Sequence, residues 1–214
     1  MRPTGPSGQG PNGPPPPGGN GPYVPPAAGS EKKDFSTAIL DQKKAPNKLV
    51  AEEATNDDNS TVFLSNAKMN ELSIFKGDPI FIKGKKRKET VCIALVDQKM
   101  EDGKIRMNKV VRKNLRIRLG DIVQIKPAGD VPNFTKIHVL PFEDTIEGIT
   151  GDITKTYLVP YFKDAYRPLK KGDTFLVRGG FKAVEFKVVA TEPKDYGIVG
   201  PATVLFTEGD HIKR

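Results

Sequence analysis

The chain has 214 residues, enough for one or two domains; 36% are hydrophobic and 28% charged, and 34 Lys and Arg against 26 Asp and Glu leave a net charge of +8. A single cysteine, Cys92, excludes an internal disulfide and every zinc site built on paired cysteines. No run approaches the roughly 18–20 apolar residues of a membrane span, and no apolar run follows Arg2, so neither membrane insertion nor a secretory signal is expected; the reading is of a soluble, intracellular protein.

Residues 1–33 form the first compositional unit. The first 30 hold 10 of the 19 prolines and 8 of the 21 glycines, with Arg2 the only charged side chain. Such a segment buries too little apolar surface to offset ordering entropy, and a disordered Pro/Gly-rich tail is expected. Gly8-Gln9-Gly10-Pro11-Asn12-Gly13 fits the spacing of a dinucleotide loop, but no strand precedes it and Pro14–Pro17 forbid the helix that must follow.

Beyond the tail, short β-branched or aromatic runs bounded by Gly, Asp and Pro predict strands over Thr61–Leu64, Pro79–Lys83, Thr90–Val96, Ile122–Ile125, Lys136–Leu140, Thr174–Arg178, Val184–Val189 and Ala202–Phe206. An internal repeat organises the first half. Ile74-Phe-Lys-Gly77-Asp78-Pro-Ile-Phe-Ile-Lys83 matches Ile117-Arg-Leu-Gly120-Asp121-Ile-Val-Gln-Ile-Lys126. Each copy follows a short helical pattern, one with Met69 and Leu72 after a Ser65 cap, the other with Val110, Val111 and Leu115 after Asn108. Two such helix–turn–strand units about a pseudo-two-fold axis predict a double-psi β-barrel over 34–130. A third copy, Leu169–Arg178, lacks the helix and opens a second unit over 135–211, read as all β and expected to lean on the barrel. The fold class is mainly β.

Catalytic constellations are missing. Gly84-Lys85 is the one Gly-Lys with basic company, but Pro79 stands where the first P-loop glycine belongs and Lys86 where Ser or Thr belongs. His138 reads as a strand residue, His211 has no partner nearby, and Cys92 reads as a small buried hydrophobe. No catalytic residue, metal ligand or cofactor is expected in this chain. Five of the six residues Lys83–Lys88 are basic, and Arg106, Lys109, Arg112, Lys113, Arg116 and Arg118 form a second basic group. The first reads as a solvated hairpin. Without tryptophan or interleaved aromatics, nucleic acid is not expected, and a nucleic-acid or acidic-surface binding module using Lys83–Lys88 stands as the alternative function.

Several dispersed segments carry a resemblance: Asp34–Leu40, Asn56–Ser60, Phe75–Asp78, Lys83–Arg87, Ile105–Asn108, Asn114–Asp121, His138–Pro141, Thr145–Gly151, Ala165–Pro168 and Arg178–Gly180. Over roughly 34–214 the chain resembles the N domain of the valosin-containing-protein family, the ubiquitin-selective AAA ATPase segregases. The resemblance implies a double-psi barrel followed by a four-stranded β-barrel. It implies an adaptor-recruiting module with UBX domains and Arg-rich helices as partners, bringing ubiquitin-linked clients, with cytoplasmic and nuclear localisation and recruitment to the endoplasmic reticulum surface. ATP and Mg would belong to the family's ATPase domains, and the isolated domain would be monomeric.

Carried over by position, the resemblance implies an adaptor cleft of Asp58, Asn59, Thr61, Phe75, Lys76, Asp78, Ile93, Leu95, Ala165, Tyr166 and Arg167. Ile93, Leu95, Phe75 and Tyr166 would give an apolar floor, and Asp58 and Asp78 would accept guanidinium groups. From the sequence alone Ile93 and Leu95 read as barrel core. The family has a Tyr where this chain has Asn133, and Phe134 would substitute for it through a shifted loop. The resemblance also implies that Arg116, Arg118 and Arg178 face the first ATPase ring. The chain stops at His211–Arg214, where the family's linker to that ring begins, so a piece of a longer protein is expected.

Overall fold

The computed structural model describes residues 45–180 and 182–214. The Pro/Gly-rich tail and the opening motif Asp34–Leu40 lie outside the described residues.

Six strands close into a barrel: β1 (Lys48–Glu53), β2 (Thr61–Leu64), β3 (Pro79–Lys83), β4 (Glu89–Val96), β5 (Lys104–Met107) and β6 (Ile122–Pro127), in the order β1-β5-β2-β4-β3-β6. The two repeats are visible in its hydrogen bonds. Helix α1 (Asn66–Glu71) is capped by Ser65, whose hydroxyl accepts from Lys68 N at 3.1 Å; helix α2 (Lys109–Leu115) is capped by Asn108, whose side-chain oxygen accepts from Val111 N at 3.0 Å. After each helix the chain turns through a glycine at positive φ, Gly77 at 94° and Gly120 at 82°. Gly77 N donates to Ala94 O and Gly120 N to Ala51 O, both at 2.8 Å. The following aspartates close the turns: Asp78 accepts from Phe75 N at 2.9 Å and Asp121 from Arg118 N at 2.7 Å. The exiting strands, β3 and β6, then pair with one another antiparallel. Inside, alternate residues of every strand meet, among them Val62, Leu64, Ile80, Ile82, Cys92, Ala94, Ile105 and Ile125. Burial pushes the Cys92 thiol far up from its ordinary pKa, so it is an inert core residue.

The second unit holds β7 (Lys136–Pro141), β8 (Pro168–Lys170), β9 (Thr174–Gly179), β10 (Lys182–Glu192), β11 (Tyr196–Ile198) and β12 (Val204–Phe206). Four of them form a sheet in the order β12-β7-β10-β9, and β8 pairs with β11. The unit is not all β, as the sequence suggested: α3 (Glu143–Ile146), a π-helical turn Thr154–Leu158 and α4 (Val159–Phe162) lie between β7 and β8. These short turns bury Tyr157, Leu158 and Phe162 against Phe175, Val177 and Phe186, with Tyr161 stacked on Phe175 at 5.3 Å.

The second unit does lean on the barrel. Asn114 of α2 clamps Thr174 of β9 with three hydrogen bonds, accepting from its N and Oγ1 and donating to its O, at 2.8–2.9 Å. Phe81 and Tyr196 meet edge to face at 4.9 Å, and Lys170 Nζ reaches Glu89 at 2.8 Å. Thr90 of β4 donates to Asp173, just before β9.

Candidate functional site

The outer face of the barrel is set by strand register. Ile93 of β4 stands between Thr61 of β2 and Pro79 of β3, and Leu95 stands beside Phe63. Because Cys92 and Ala94 point into the barrel, Ile93 and Leu95 point away from its inner cluster. The sequence-only reading of both as core holds for burial at Ile93, which is 6% exposed, while Leu95 is half-buried. Two acids flank the row. Ile93 N donates to Ser60 O at 2.8 Å, which brings Asp58 to one end; Ala94 N donates to Asp78 O at 2.9 Å, which brings Asp78 to the other. The Thr61 hydroxyl, in the row itself, is buried without a hydrogen-bond partner among the described residues.

The segment Ala165-Tyr166-Arg167 closes the Asp58 end. Arg167 Nη1 donates to Asp58 Oδ1 at 2.9 Å and to Ser60 Oγ at 3.1 Å, and its Nε donates to Tyr161 O at 2.8 Å. Its guanidinium lies 4.2 Å from the centre of the Tyr161 ring. Asn59 bridges the same seam, donating to Leu176 O at 2.7 Å and to the Tyr161 hydroxyl at 3.2 Å, while Asn108 donates to it. Burial holds that hydroxyl above the ordinary tyrosine pKa, so it stays protonated. Ser60 and Tyr161 are thus site residues that sequence reasoning missed, since neither carries a motif.

Two uncovered aromatic rings flank this face. Phe75, beside Asp78, is 73% exposed, and Tyr166, beside Arg167, is 55% exposed. Lys76 is exposed next to Phe75, and Ala165 is half-buried. Two expectations need correction. Asp58 is already engaged by Arg167 of the same chain, whereas Asp78 belongs to no ion pair among the described residues and accepts from the Phe75 amide. Phe134 does not substitute for the missing Tyr. It is buried in the core of the second unit, held by its N–H bond to Ile198 O at 2.8 Å. Asn133 is the exposed residue, and it lines a hollow of about 560 Å³ with Ala165, Tyr166, Val159 and Leu205.

The remaining charged residues separate in space. Arg116 ends α2 in the left-handed region at φ 56° and Arg118 is exposed in the next turn, whereas Arg178 on β9 is paired with Asp57. The basic turn Lys83–Lys88 is docked as well as solvated: Lys85 N donates to Leu115 O at 3.0 Å, covering the C-terminal end of α2. Its five cationic side chains are exposed, with Lys85 Nζ 2.7 Å from Asp121. Among the described residues no cluster of His, Cys, Asp and Glu could hold a metal ion, and no helix is long and apolar enough to cross a membrane.

Comparison with protein families gives two matches. The family model of the N-terminal domain of cell division protein 48 (CDC48) matches residues 48–131, which span the closed barrel. The model of CDC48 domain 2 matches residues 148–214, which carry most of the second unit. Neither is an ATPase domain, and together they span well over half of the chain.

Proposed function

As a member of the CDC48 family, this chain comprises the N-terminal region of a CDC48-type AAA ATPase, and from that premise we propose that it is the docking module by which such an ATPase recruits its adaptors. The groove between the β2–β4 face and Ala165–Arg167 takes UBX-type loops and Arg-rich helices. An aliphatic or aromatic anchor of the adaptor sits on Ile93 and Leu95, flanked by Phe75 and Tyr166, while an arginine reaches Asp78. Adaptors so held deliver ubiquitin-linked clients, and the ATP and Mg that drive unfolding belong to ATPase domains outside this chain. The working places are cytoplasm and nucleus, and the endoplasmic reticulum surface when an adaptor brings the protein there.

The observation that carries this reading is the outward phase of β4. A basic protein thereby sets the half-buried Leu95 and the exposed rings of Phe75 and Tyr166 near a carboxylate, Asp78, that has no ion pair among the described residues, which suits a basic, apolar-anchored peptide. The test is anisotropy of a fluorescent UBX domain at physiological salt, with Asp78→Lys, Ile93→Glu and Phe75→Ala variants checked for folding by circular dichroism. Binding near ~1 μM, about 8 kcal/mol, is expected for wild type; it should be lost in Asp78→Lys and Ile93→Glu and weakened about tenfold in Phe75→Ala. Folded variants that bind like wild type would remove the groove from the reading. The basic turn Lys83–Lys88 would become the site if the chain instead held an oligonucleotide with steep salt dependence.

A further inference from the structure

We propose that the Thr90–Asp173 pair is a proton-operated latch that holds the second unit against the barrel and so sets the spacing of the two walls to which adaptors dock. Its hold on adaptors rests on the docking reading above; the latch itself does not. Of the side-chain hydrogen bonds across the seam among the described residues, this is the one in which both partners are buried. Latch and docking face share their supports. Thr90 stands three residues before Ile93 on β4, and Asp173 stands six residues after Arg167, with β8 between them.

Each partner is fixed to its own unit. Thr90 pairs with Ile82 of β3 in the barrel, and its hydroxyl donates across the seam to the carboxylate. Asp173 closes the turn after β8: its N donates to Lys170 O at 3.0 Å, and its O accepts from Val188 N at 2.9 Å. Neither residue can follow the other when the units part, so opening the seam breaks the pair and admits water to the carboxyl group.

The surroundings favour the uncharged acid. Burial is the main influence and raises the Asp173 pKa to about 7; Thr90, the Lys170 amide and the Lys170 and Lys88 charges oppose it without cancelling it. The other polar groups nearby are engaged. Glu89 of β4 is held by Lys170 at 2.8 Å and by Lys126 of β6 at 3.4 Å, and Cys92 further along β4 is a buried thiol. From α2, Asn114 bonds to Thr174 and Lys113 takes Glu185 of β10. Lys187 of β10 is the register partner of Thr174, and Lys171 N donates to Asp195 O at 2.7 Å.

The sign of the linkage follows. Below about 3.8 the acid is neutral with the seam shut or open. Between about 3.8 and 7 opening releases a proton, so each pH unit favours opening by up to about tenfold. Above about 7 the group is ionised in both states and the effect is complete. The latch is therefore shut in acid and loosens towards neutral pH, while the Arg167 fork on Asp58 and Ser60 stays as the hinge.

The test is amide hydrogen exchange of the 214-residue chain, followed by nuclear magnetic resonance from about pH 5 to pH 8. The Thr174 amide donates across the seam to Asn114 Oδ1 and reports its opening; the Ile125 amide, bonded to Asn47 O in the barrel, reports loss of the whole fold. The ratio of the Thr174 rate in wild type to that in Asp173→Asn should grow by about tenfold or more from pH 5 to pH 7 and level off beyond. In wild type Thr174 should exchange faster than Ile125 and depend less on urea, because parting the seam exposes less surface than unfolding. Thr90→Val, which removes the donor, should speed Thr174 exchange by about tenfold at pH 5 and replaces Asp173→Asn if that variant does not fold. A ratio flat with pH, or one rate and one urea dependence for both amides, overturns the latch. UBX anisotropy on the same samples should weaken by about threefold or more from pH 6 to pH 8 in wild type and stay within about twofold in Asp173→Asn. Equal affinity at both pH values in wild type would overturn the latch's hold on adaptors. If UBX binds at no pH, the docking reading fails, and the exchange ratio still decides the latch.

Discussion

The Asp173 carboxylate accepts a hydrogen bond from Thr90 Oγ1 across the seam between barrel and sheet, and both residues are buried. In the other two copies of the same Gly-Asp turn the aspartate is partly open to solvent and satisfies its own turn. Burial pushes the Asp173 pKa up to about 7, against the opposing pull of Thr90, the Lys170 amide, and the Lys170 and Lys88 charges.

The linkage follows from the sign of that shift. An acid whose folded pKa is raised binds its proton more tightly when folded. Its contribution is complete below the unfolded pKa near 3.8 and is lost as pH rises through about 7. The difference corresponds to about 4 kcal/mol. Asp173→Asn keeps the acceptor oxygen without the charge. Urea denaturation should show it more stable than wild type by about 2–4 kcal/mol at pH 8, with the gap closing towards pH 4. Parallel pH profiles for the two proteins would refute the assignment.

Arg167 is predicted to be structural before it is functional. It unites Asp58, Ser60 and Tyr161, from two units, through one guanidinium. Arg167→Met should cost about 1–3 kcal/mol, because Asp58 and the Tyr161 carbonyl lose a partner in a half-buried seam. Arg167→Lys should recover less than half of that, since an ammonium cannot fork or stack in the same way. Equal stability of Lys and Arg in chemical denaturation would show that charge alone matters.

Phe75 and Tyr166 should behave in the opposite manner. At 73% and 55% exposure, truncation to Ala should change folding stability by no more than about 0.5 kcal/mol while weakening UBX binding about tenfold. A stability loss matching the binding loss would mean the rings hold the fold.

The β3–β4 turn gives a paired prediction. A Cβ on Gly84 would stand 2.2 Å from Leu115 O, in rigid backbone, so Gly84→Ala should cost about 3 kcal/mol. Lys86 and Arg87 are strained the other way, with φ of 51° and 59° in residues that disfavour it. Lys86→Asn and Arg87→Gly, which fit a type I′ turn, should each stabilise by about 0.5–1 kcal/mol in thermal denaturation.

What the sequence determined by itself is chemistry that acts over a few residues. Ser65 and Asn108 announce helix starts because their side chains bond amides three residues on, and Gly77-Asp78 and Gly120-Asp121 announce turns because the whole device spans four residues. The repeat of that device was enough to read the closed barrel. What the tertiary structure decided is everything resting on partners distant along the chain. Thr90–Val96 is apolar on both faces, so alternation could not say which of Ile93 and Cys92 faces out until β2 and β3 set the register. β1 and β5 went unpredicted because Lys48–Glu53 and Lys104–Met107 are short and charged, and they become strands by pairing with each other, with Lys104 and Arg106 answering Glu52. Asn133 and Phe134 are adjacent, and only packing against Ile198 and Val199 buries one and exposes the other. Arg167 finds Asp58 at a separation of 109 residues, and Asp173 repeats a surface turn motif inside a seam. In each case local chemistry is the same in both environments, and the free energy that selects between them comes from burial against neighbours that only the folded chain supplies.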